Sequence, residues 1–152
     1  MAVGKQLKYG HIRGGEQGYD VTIKATQYIA AASGKFVRGS TTATSNLVTF
    51  ATLADTDVLG AVECEELDSS DGTEVRKCIS DYTAVWRIPI VAGTYYHYLK
   101  GKKCDLKIVS NIQGACLNSA TDVTLIIEDG DEDNNNWVDV RLNPSRVFNG
   151  VV

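Results

Sequence analysis

The feature of this sequence that most constrains its fold is a series of short segments in which apolar and polar residues alternate. In the first of them, Val21, Ile23 and Ala25 alternate with threonine and lysine, as in a strand with one buried face. About ten such segments follow one another, at residues 19–26, 35–38, 47–50, 57–67, 73–79, 84–91, 95–99, 104–109, 122–128 and 137–142. The pattern predicts an all-β protein, built as an antiparallel sandwich or a barrel-like domain.

Two local signals refine this prediction. Pro89 lies within the segment 84–91 and cannot donate a ladder hydrogen bond, so this strand is predicted to lie at a sheet edge or at a bulge. Residues 28–33 contain three alanines, but Gly34 follows them before a helix can propagate, and we predict a loop there.

The chain length of 152 residues fits one domain with a single core. Residues 1–19 hold five glycines and no apolar period, so they are predicted to form an extended N-terminal arm that need not pack on its own core. Residues 20–142 form the β domain. Residues 143–152 are a short C-terminal tail that is too apolar for a solvated end, and we expect it to dock onto a surface.

Charge and hydropathy exclude two classes of partner. The net charge of -4, with a pI near 5.1, lacks the basic surface that binding to phosphates requires, so nucleic acid is not an expected partner. No apolar run approaches the roughly 20 residues that span a bilayer, and no membrane segment is expected. The N-terminal residues are not followed by an apolar stretch and a cleavage site, so we expect synthesis in the cytoplasm without a secretion signal.

The four cysteines are spaced too widely for a zinc site. Cys64 and Cys78 flank a turn at residues 68–72 almost symmetrically, and Cys104 and Cys116 do the same about residues 110–111. Disulfides across two hairpins are therefore conceivable. Without a secretion signal, the favoured alternative is four reduced thiols that behave as small apolar residues.

Few residues suit catalysis or cofactor binding. His11 lies among glycines and His97 lies in a tyrosine run, and neither has a positioned partner in the sequence. Asp129, Asp131 and Asp133 resemble the first half of a calcium loop, but asparagine and valine stand where its glycine and bidentate glutamate belong. A solvated hairpin turn between Ile127 and Trp137 is the favoured interpretation. We therefore expect no enzyme, no cofactor and no metal site.

Aromatic and apolar residues occur where a monomer does not need them. Tyrosine is enriched at protein interfaces because it combines a large contact area with a polar end. The candidates for contact with another subunit or partner are the aromatic and apolar residues of three segments, together with Arg13. They are Tyr9, His11, Ile12, Arg13 and Tyr19 on the arm, Tyr95, Tyr96 and Tyr98 in the tyrosine run, and Val147 and Phe148 on the tail.

Five segments, in this order, resemble the head decoration (cement) proteins of tailed bacteriophages. They are Gly34-Lys-Phe-Val-Arg-Gly, Thr52-Leu-Ala-Asp-Thr-Asp-Val-Leu-Gly-Ala-Val-Glu, Ile90-Val-Ala-Gly-Thr-Tyr-Tyr, Asp122-Val-Thr-Leu-Ile-Ile-Glu-Asp-Gly-Asp and Trp137-Val-Asp-Val-Arg-Leu. The second holds the pattern Asp-x-x-x-Leu-Gly, and the last two are similar to the closing hairpin of that group. The resemblance covers residues 20–142.

The resemblance implies a β-rich, trimeric protein on the outer surface of an icosahedral capsid. Its partner would be the major capsid protein, its place the virion exterior, and its role mechanical, since bridging capsid subunits adds buried area to the shell. No catalytic residue is implied.

Three alternatives remain open at this point. The first is a carbohydrate-binding β-sandwich, with Trp86, Trp137 or the tyrosine run as the sugar platform and calcium at the acidic turn. The second is another phage structural protein, for head completion or for the tail. The third is a small lytic or hydrolytic enzyme with an unrecognised carboxylate pair. Glu63 and Glu65 do not supply that pair by spacing alone, and they are interpreted as solvent-facing charges or as partners of Lys77 or Arg76 across a hairpin.

Overall fold

The computed structural model describes residues 9–15, 18–39, 47–52 and 58–146. These residues form strands joined by loops and two short 3-10 helices, and the predicted all-β class is confirmed. The strands are β1 Gly10–Arg13, β2 Tyr19–Ile23, β3 Gln27–Ile29, β4 Phe36–Gly39, β5 Leu47–Phe50, β6 Val58–Val62, β7 Leu67–Ser69, β8 Val75–Ile79, β9 Val85–Ala92, β10 Lys103–Val109, β11 Ile112–Cys116, β12 Leu125–Gly130 and β13 Trp137–Leu142, and the 3-10 helices are His97–Leu99 and Pro144–Arg146. Within the described ranges, no helix is long and apolar enough to cross a membrane.

The first barrel closes from β2, β5, β4, β6 and β8. Its interior follows from alternation, because Val21 and Ile23 of β2 are buried while Asp20 is exposed and Thr22 is half-buried. The short β3 pairs with β7 in a separate ribbon whose Ile29 and Leu67 join the same apolar cluster. The segment 28–33, predicted to be a loop, therefore begins with the end of a strand.

The second half of the chain forms a closed ring of strands in which β9 has the most neighbours. Residues 85–87 of β9 pair with β1, residues 86–89 pair with β13, and residues 90 and 92 pair with β11. Because β11 leads through β10 and β12 back to β13, these five strands return on themselves. β9 is thus an interior strand, so of the two positions predicted for Pro89, a sheet edge or a bulge, the sheet edge is wrong. Pro89 is accommodated because β1 pairs before it and β11 after it, where the β11 register is irregular.

A buried polar side chain joins the two halves. Gln113 of β11 is fully buried, and its Oε1 accepts a hydrogen bond from Phe36 N at 2.7 Å. Its Nε2 donates to the carbonyls of Phe36 and Ala51, each at 2.8 Å. Phe36, Ala51 and Ile79 of the first half also belong to the apolar cluster of the second. A single core was predicted, whereas the structure has two apolar clusters that lie against each other and share a wall of first-half strands.

Two predicted segments differ in the structure. The arm is predicted to be extended and without a need to pack on its own core, but Gly10–Arg13 forms β1 and pairs with β9 of the same chain. Residues 95–99 were expected to form a strand and instead form a loop that contains the 3-10 helix His97–Leu99. Asn143, the first residue of the predicted tail, is buried, and its Nδ2 donates to Val123 O at 2.8 Å.

The cysteine pairs that symmetry suggested do not face each other. Cys78 lies opposite Val62 in the β6–β8 ladder, and Cys116 lies opposite Asp105 in the β10–β11 ladder. All four thiols are free, and Cys78, Cys104 and Cys116 are buried in the apolar clusters or beside them. Burial raises the pKa of Cys78 to about 11, so this thiol is neutral and packs as an apolar group.

Candidate functional site

The candidate site is the connection from β9 to β10, residues 93–102, which we call the tyrosine loop. It begins at Gly93 with φ +82° and ends near Gly101 with φ +79°, conformations that glycine adopts without strain. Between them, the Leu99 N–H donates to Tyr96 O at 2.9 Å and closes the 3-10 turn. Tight turning at both ends explains why this β-favouring tyrosine run is not a strand.

Tyr95 fixes the tyrosine loop to the second half of the fold. Its side chain is completely buried, and its ring lies against Gly130, where an added Cβ would come within 2.7 Å of three ring atoms. Its backbone N–H donates to Asn135 Oδ1 at 2.7 Å, and Asn135 Nδ2 donates in turn to Gly93 O at 3.1 Å. The β12–β13 turn therefore holds the base of the loop in place.

Tyr96 and Tyr98 form the exposed part of the loop. Their exposed fractions are 48% and 72%, far above those of core aromatic residues. The two rings are stacked, with centroids 5.7 Å apart and planes inclined by 8°. The pair is a preformed aromatic surface on a turn that is held in place, and this arrangement suits contact with a partner.

The acidic turn between β12 and β13 supports this loop and agrees with the predicted hairpin turn. Glu132 accepts a hydrogen bond from His97 N at 2.6 Å, and Asp129 pairs with Lys100 at 3.3 Å. Burial would raise the pKa of Asp129, but hydrogen bonds from Gly130 N and Lys100 hold it below its ordinary value. Asp131 accepts from Asn134 N and Asn136 N.

Because backbone and lysine groups engage these carboxylates, they do not converge on a common point. No group of three metal-ligating side chains occurs within the described ranges. The weak calcium candidate formed by Asp129, Asp131 and Asp133 thus gains no support from the geometry.

The candidate residues of the arm lie elsewhere, at the β1 edge of the second half. Tyr9 Oη donates to Asn136 O at 3.5 Å, and the His11 ring lies 5.1 Å from the Trp86 ring. Arg13 stands opposite Val85, and Ile12 is 36% exposed. These contacts are made within the chain itself.

The remaining candidates are separate from both places. Tyr19 is exposed on β2 of the first barrel, opposite Cys78. Val147 and Phe148 of the tail lie outside the described residues. The structure thus brings Tyr95, Tyr96 and Tyr98 together, but it distributes the other candidates over several surfaces.

Two of the three proposed sugar platforms are covered. Trp86 is only 3% exposed, with Phe36 against it at a centroid distance of 6.2 Å. Trp137 is covered by the Arg87 guanidinium, which lies 3.7 Å from the ring centroid and is held by two hydrogen bonds to Asp139, at 2.8 and 3.0 Å. Of these three proposed platforms, only the tyrosine run presents exposed rings.

Sequence reasoning missed the residues that brace the site. Gly130, Glu132 and Asn135 look like ordinary turn residues, and nothing in their local pattern shows that they hold a loop about 40 positions away. Comparison of the chain with protein-family models, with curated proteins and with solved structures finds no match.

Proposed function

We propose that this chain is a non-catalytic head decoration protein of a tailed bacteriophage, which binds the outer surface of the capsid through the tyrosine loop. The observation that carries the proposal is the stacked, exposed pair Tyr96 and Tyr98 on a loop that Tyr95 fixes to the fold. Rigid aromatic residues lose little conformational entropy on binding, and they are frequent hot spots of interfaces.

The sequence resemblance supports this proposal, and so does the arrangement of the chain. Two apolar clusters share a wall and are joined by buried hydrogen bonds, so a force applied at one end is transmitted through packed side chains. In the proposed role, three copies surround a threefold or quasi-threefold axis and bridge neighbouring major capsid subunits. The added buried area stabilises the expanded shell on the virion exterior.

A co-sedimentation experiment with expanded heads assembled without this protein tests the proposal. Wild-type protein should pellet with the heads, and Tyr96→Ser/Tyr98→Ser should bind about 30-fold more weakly or worse, because hot-spot tyrosines contribute about 2 kcal/mol or more. Tyr28→Ser is the matched control, since Tyr28 is 42% exposed on β3, away from the loop. Equal binding by the tyrosine-loop variant and the control would contradict the proposed surface.

The carbohydrate-binding alternative keeps one supporting observation, since flat exposed tyrosine rings also suit the apolar face of a sugar ring. It predicts saturable binding of soluble oligosaccharides by the isolated protein, with loss in the same double variant. Glycan binding without head binding would replace the decoration role. A head-completion or tail role predicts binding to a head vertex or to tails in place of binding over the whole shell.

A further inference from the structure

A second feature, a cavity of about 420 Å³, lies where β1 meets the first barrel. Its wall is formed by the start of β1, the end of β6 with the residues that follow it, Lys35 before β4, and Trp86 of β9. Its volume falls within the roughly 300–1,000 Å³ range of small-ligand sites. A side chain of a partner protein is therefore a possible occupant on size alone.

Aromatic groups line part of the cavity. Tyr9, directly before β1, and His11 of β1 both contribute to its wall, and both are half-buried. The His11 ring is fixed, because it bonds to the Gly14 carbonyl through Nε2 and lies against Trp86. Aromatic walls of this kind attract a planar cation through the electron-rich ring faces.

Two carboxylates also line the cavity. They belong to Glu63 and Glu65, and both residues are exposed. Within the described part of the chain, neither carboxylate accepts a hydrogen bond or forms an ion pair. Both are therefore available as acceptors, and the backbone of Glu63 is held in place by its N–H donating to Lys77 O at 3.0 Å.

Lys35 is the cation of the cavity wall, and it cannot serve an anionic ligand. Its Nζ donates to the carbonyls of Ala30, Ala31 and Ser33 at 3.0, 3.1 and 2.8 Å. These three bonds use all three donors of the ammonium group. An anion entering the cavity would thus meet two carboxylates and no available lysine donor, whereas a cation would meet two acceptors.

We propose that this cavity binds the guanidinium group of an arginine side chain presented by a partner protein, between the Tyr9 and His11 rings and the carboxylates of Glu63 and Glu65. Guanidinium is planar, stacks on aromatic rings and donates in two directions to carboxylates, which matches these walls better than a compact ammonium does. The charge of Lys35 is opposed by Glu65, whose attraction partly offsets the effect of burial on the Lys35 pKa, and its three hydrogen bonds to backbone carbonyls hold the ammonium group in place.

The cavity and the tyrosine loop are both linked to the turn between β12 and β13. Tyr9 donates to Asn136 O, and the neighbouring Asn135 holds Tyr95 of the tyrosine loop. The inference rests on the proposed function in one respect, since it takes the partner to be the capsid. An arginine of the capsid entering this cavity would add a charged contact beside the aromatic one.

The test uses the full-length protein and two small probes, Nα-acetyl-arginine amide and its neutral isostere Nα-acetyl-citrulline amide. NMR chemical shifts of the Trp86 indole N–H and of the backbone amides at residues 63–65 report occupancy. The arginine probe should cause saturable shifts, and the citrulline probe should bind about tenfold more weakly or worse because it carries no charge. Equal shifts with both probes, or none with either, would overturn the proposal.

Variants then locate the site. Glu63→Gln/Glu65→Gln should reduce arginine-probe affinity about tenfold or more, whereas Glu66→Gln, which alters an exposed carboxylate outside the cavity wall, should not. Unchanged affinity in the double variant would also overturn the proposal. Head co-sedimentation of the wild type is scored separately, so that probe binding without head binding would contradict the capsid role and leave the arginine site supported.

Discussion

Replacing Gln113 by leucine should reduce the stability of the whole fold severely. Leucine has a similar volume, so the change removes hydrogen bonds without opening a large cavity. Phe36 N–H and Ala51 C=O lose this partner, whereas Phe36 C=O keeps the hydrogen bond that it accepts from Ala51 N–H at 2.9 Å. Each buried unsatisfied group costs about 1–3 kcal/mol, so the two groups together should cost about 2–5 kcal/mol. That loss is a large part of the roughly 5–15 kcal/mol that stabilises a typical domain.

Urea unfolding, followed by circular dichroism and by tryptophan fluorescence, measures this effect. Gln27→Leu is the matched control, because Gln27 is half-buried and its Oε1 accepts one hydrogen bond, from Phe50 N at 3.3 Å. The control should lose about 1 kcal/mol or less. A loss below about 1 kcal/mol for Gln113→Leu would refute the reasoning, since it would show that β4 satisfies its backbone groups without this side chain.

Three further predictions concern buried groups. Asp105 accepts hydrogen bonds from Ser119 Oγ and from three successive backbone N–H groups. Asp105→Asn turns an amide towards these donors, so it should lower the free energy of unfolding by about 3 kcal/mol in urea at pH 7. An unchanged urea midpoint would contradict this. Burial would raise the Asp105 pKa but those bonds hold it below its ordinary value, so the aspartate's contribution should be lost as the pH falls through the folded-state pKa, and the difference between wild type and variant should shrink in acid. Burial lowers the pKa of Lys35 to about 8, below its ordinary value of about 10.4. Between these pH values the unfolded chain binds more protons than the folded chain, so the stability of the wild type should rise with pH relative to that of Lys35→Met. Parallel pH profiles of stability for the two proteins would refute this. Gly130→Ala should displace the Tyr95 ring, lower the free energy of unfolding by about 1–3 kcal/mol and weaken head binding. Gly39→Ala should have none of these effects, because no atom lies within 4 Å of a Cβ added there.

Alternation predicted the strands well where one face of a strand is buried. Val21 and Ile23 in β2 and Val138 and Val140 in β13 lie in the apolar clusters as their spacing indicates. The pattern failed where a few long-range hydrogen bonds decide the conformation. Tyr95 is not in a strand because its backbone N–H bonds to Asn135 and its ring packs on Gly130. Neither of these two residues carries a local sequence signal of that role.

The exposure of the candidate aromatic residues was predicted by residue type and only partly by position. Exposed tyrosine is visible in a sequence as an aromatic run, and Tyr96 and Tyr98 are indeed exposed. The sequence could not show that residues 10–13 would pair with β9, because five glycines in the arm hide a strand of four residues. The sequence predicts Glu63 and Glu65 as solvent-facing charges or as partners of Lys77 or Arg76, and their position in one cavity with Tyr9 depends on that same unpredicted pairing.

The acidic turn connects the two proposed contact regions and gives them a common structural basis. Its Glu132 and Asn135 hold the tyrosine loop, and its Asn136 accepts a hydrogen bond from Tyr9 at the cavity. Asp131 in turn receives the N–H groups of Asn134 and Asn136, so the turn is fixed by its own carboxylate. Asp131→Ala should therefore weaken both head binding and arginine-probe binding although it touches neither surface directly. Loss of one without the other would show that the two regions are positioned independently.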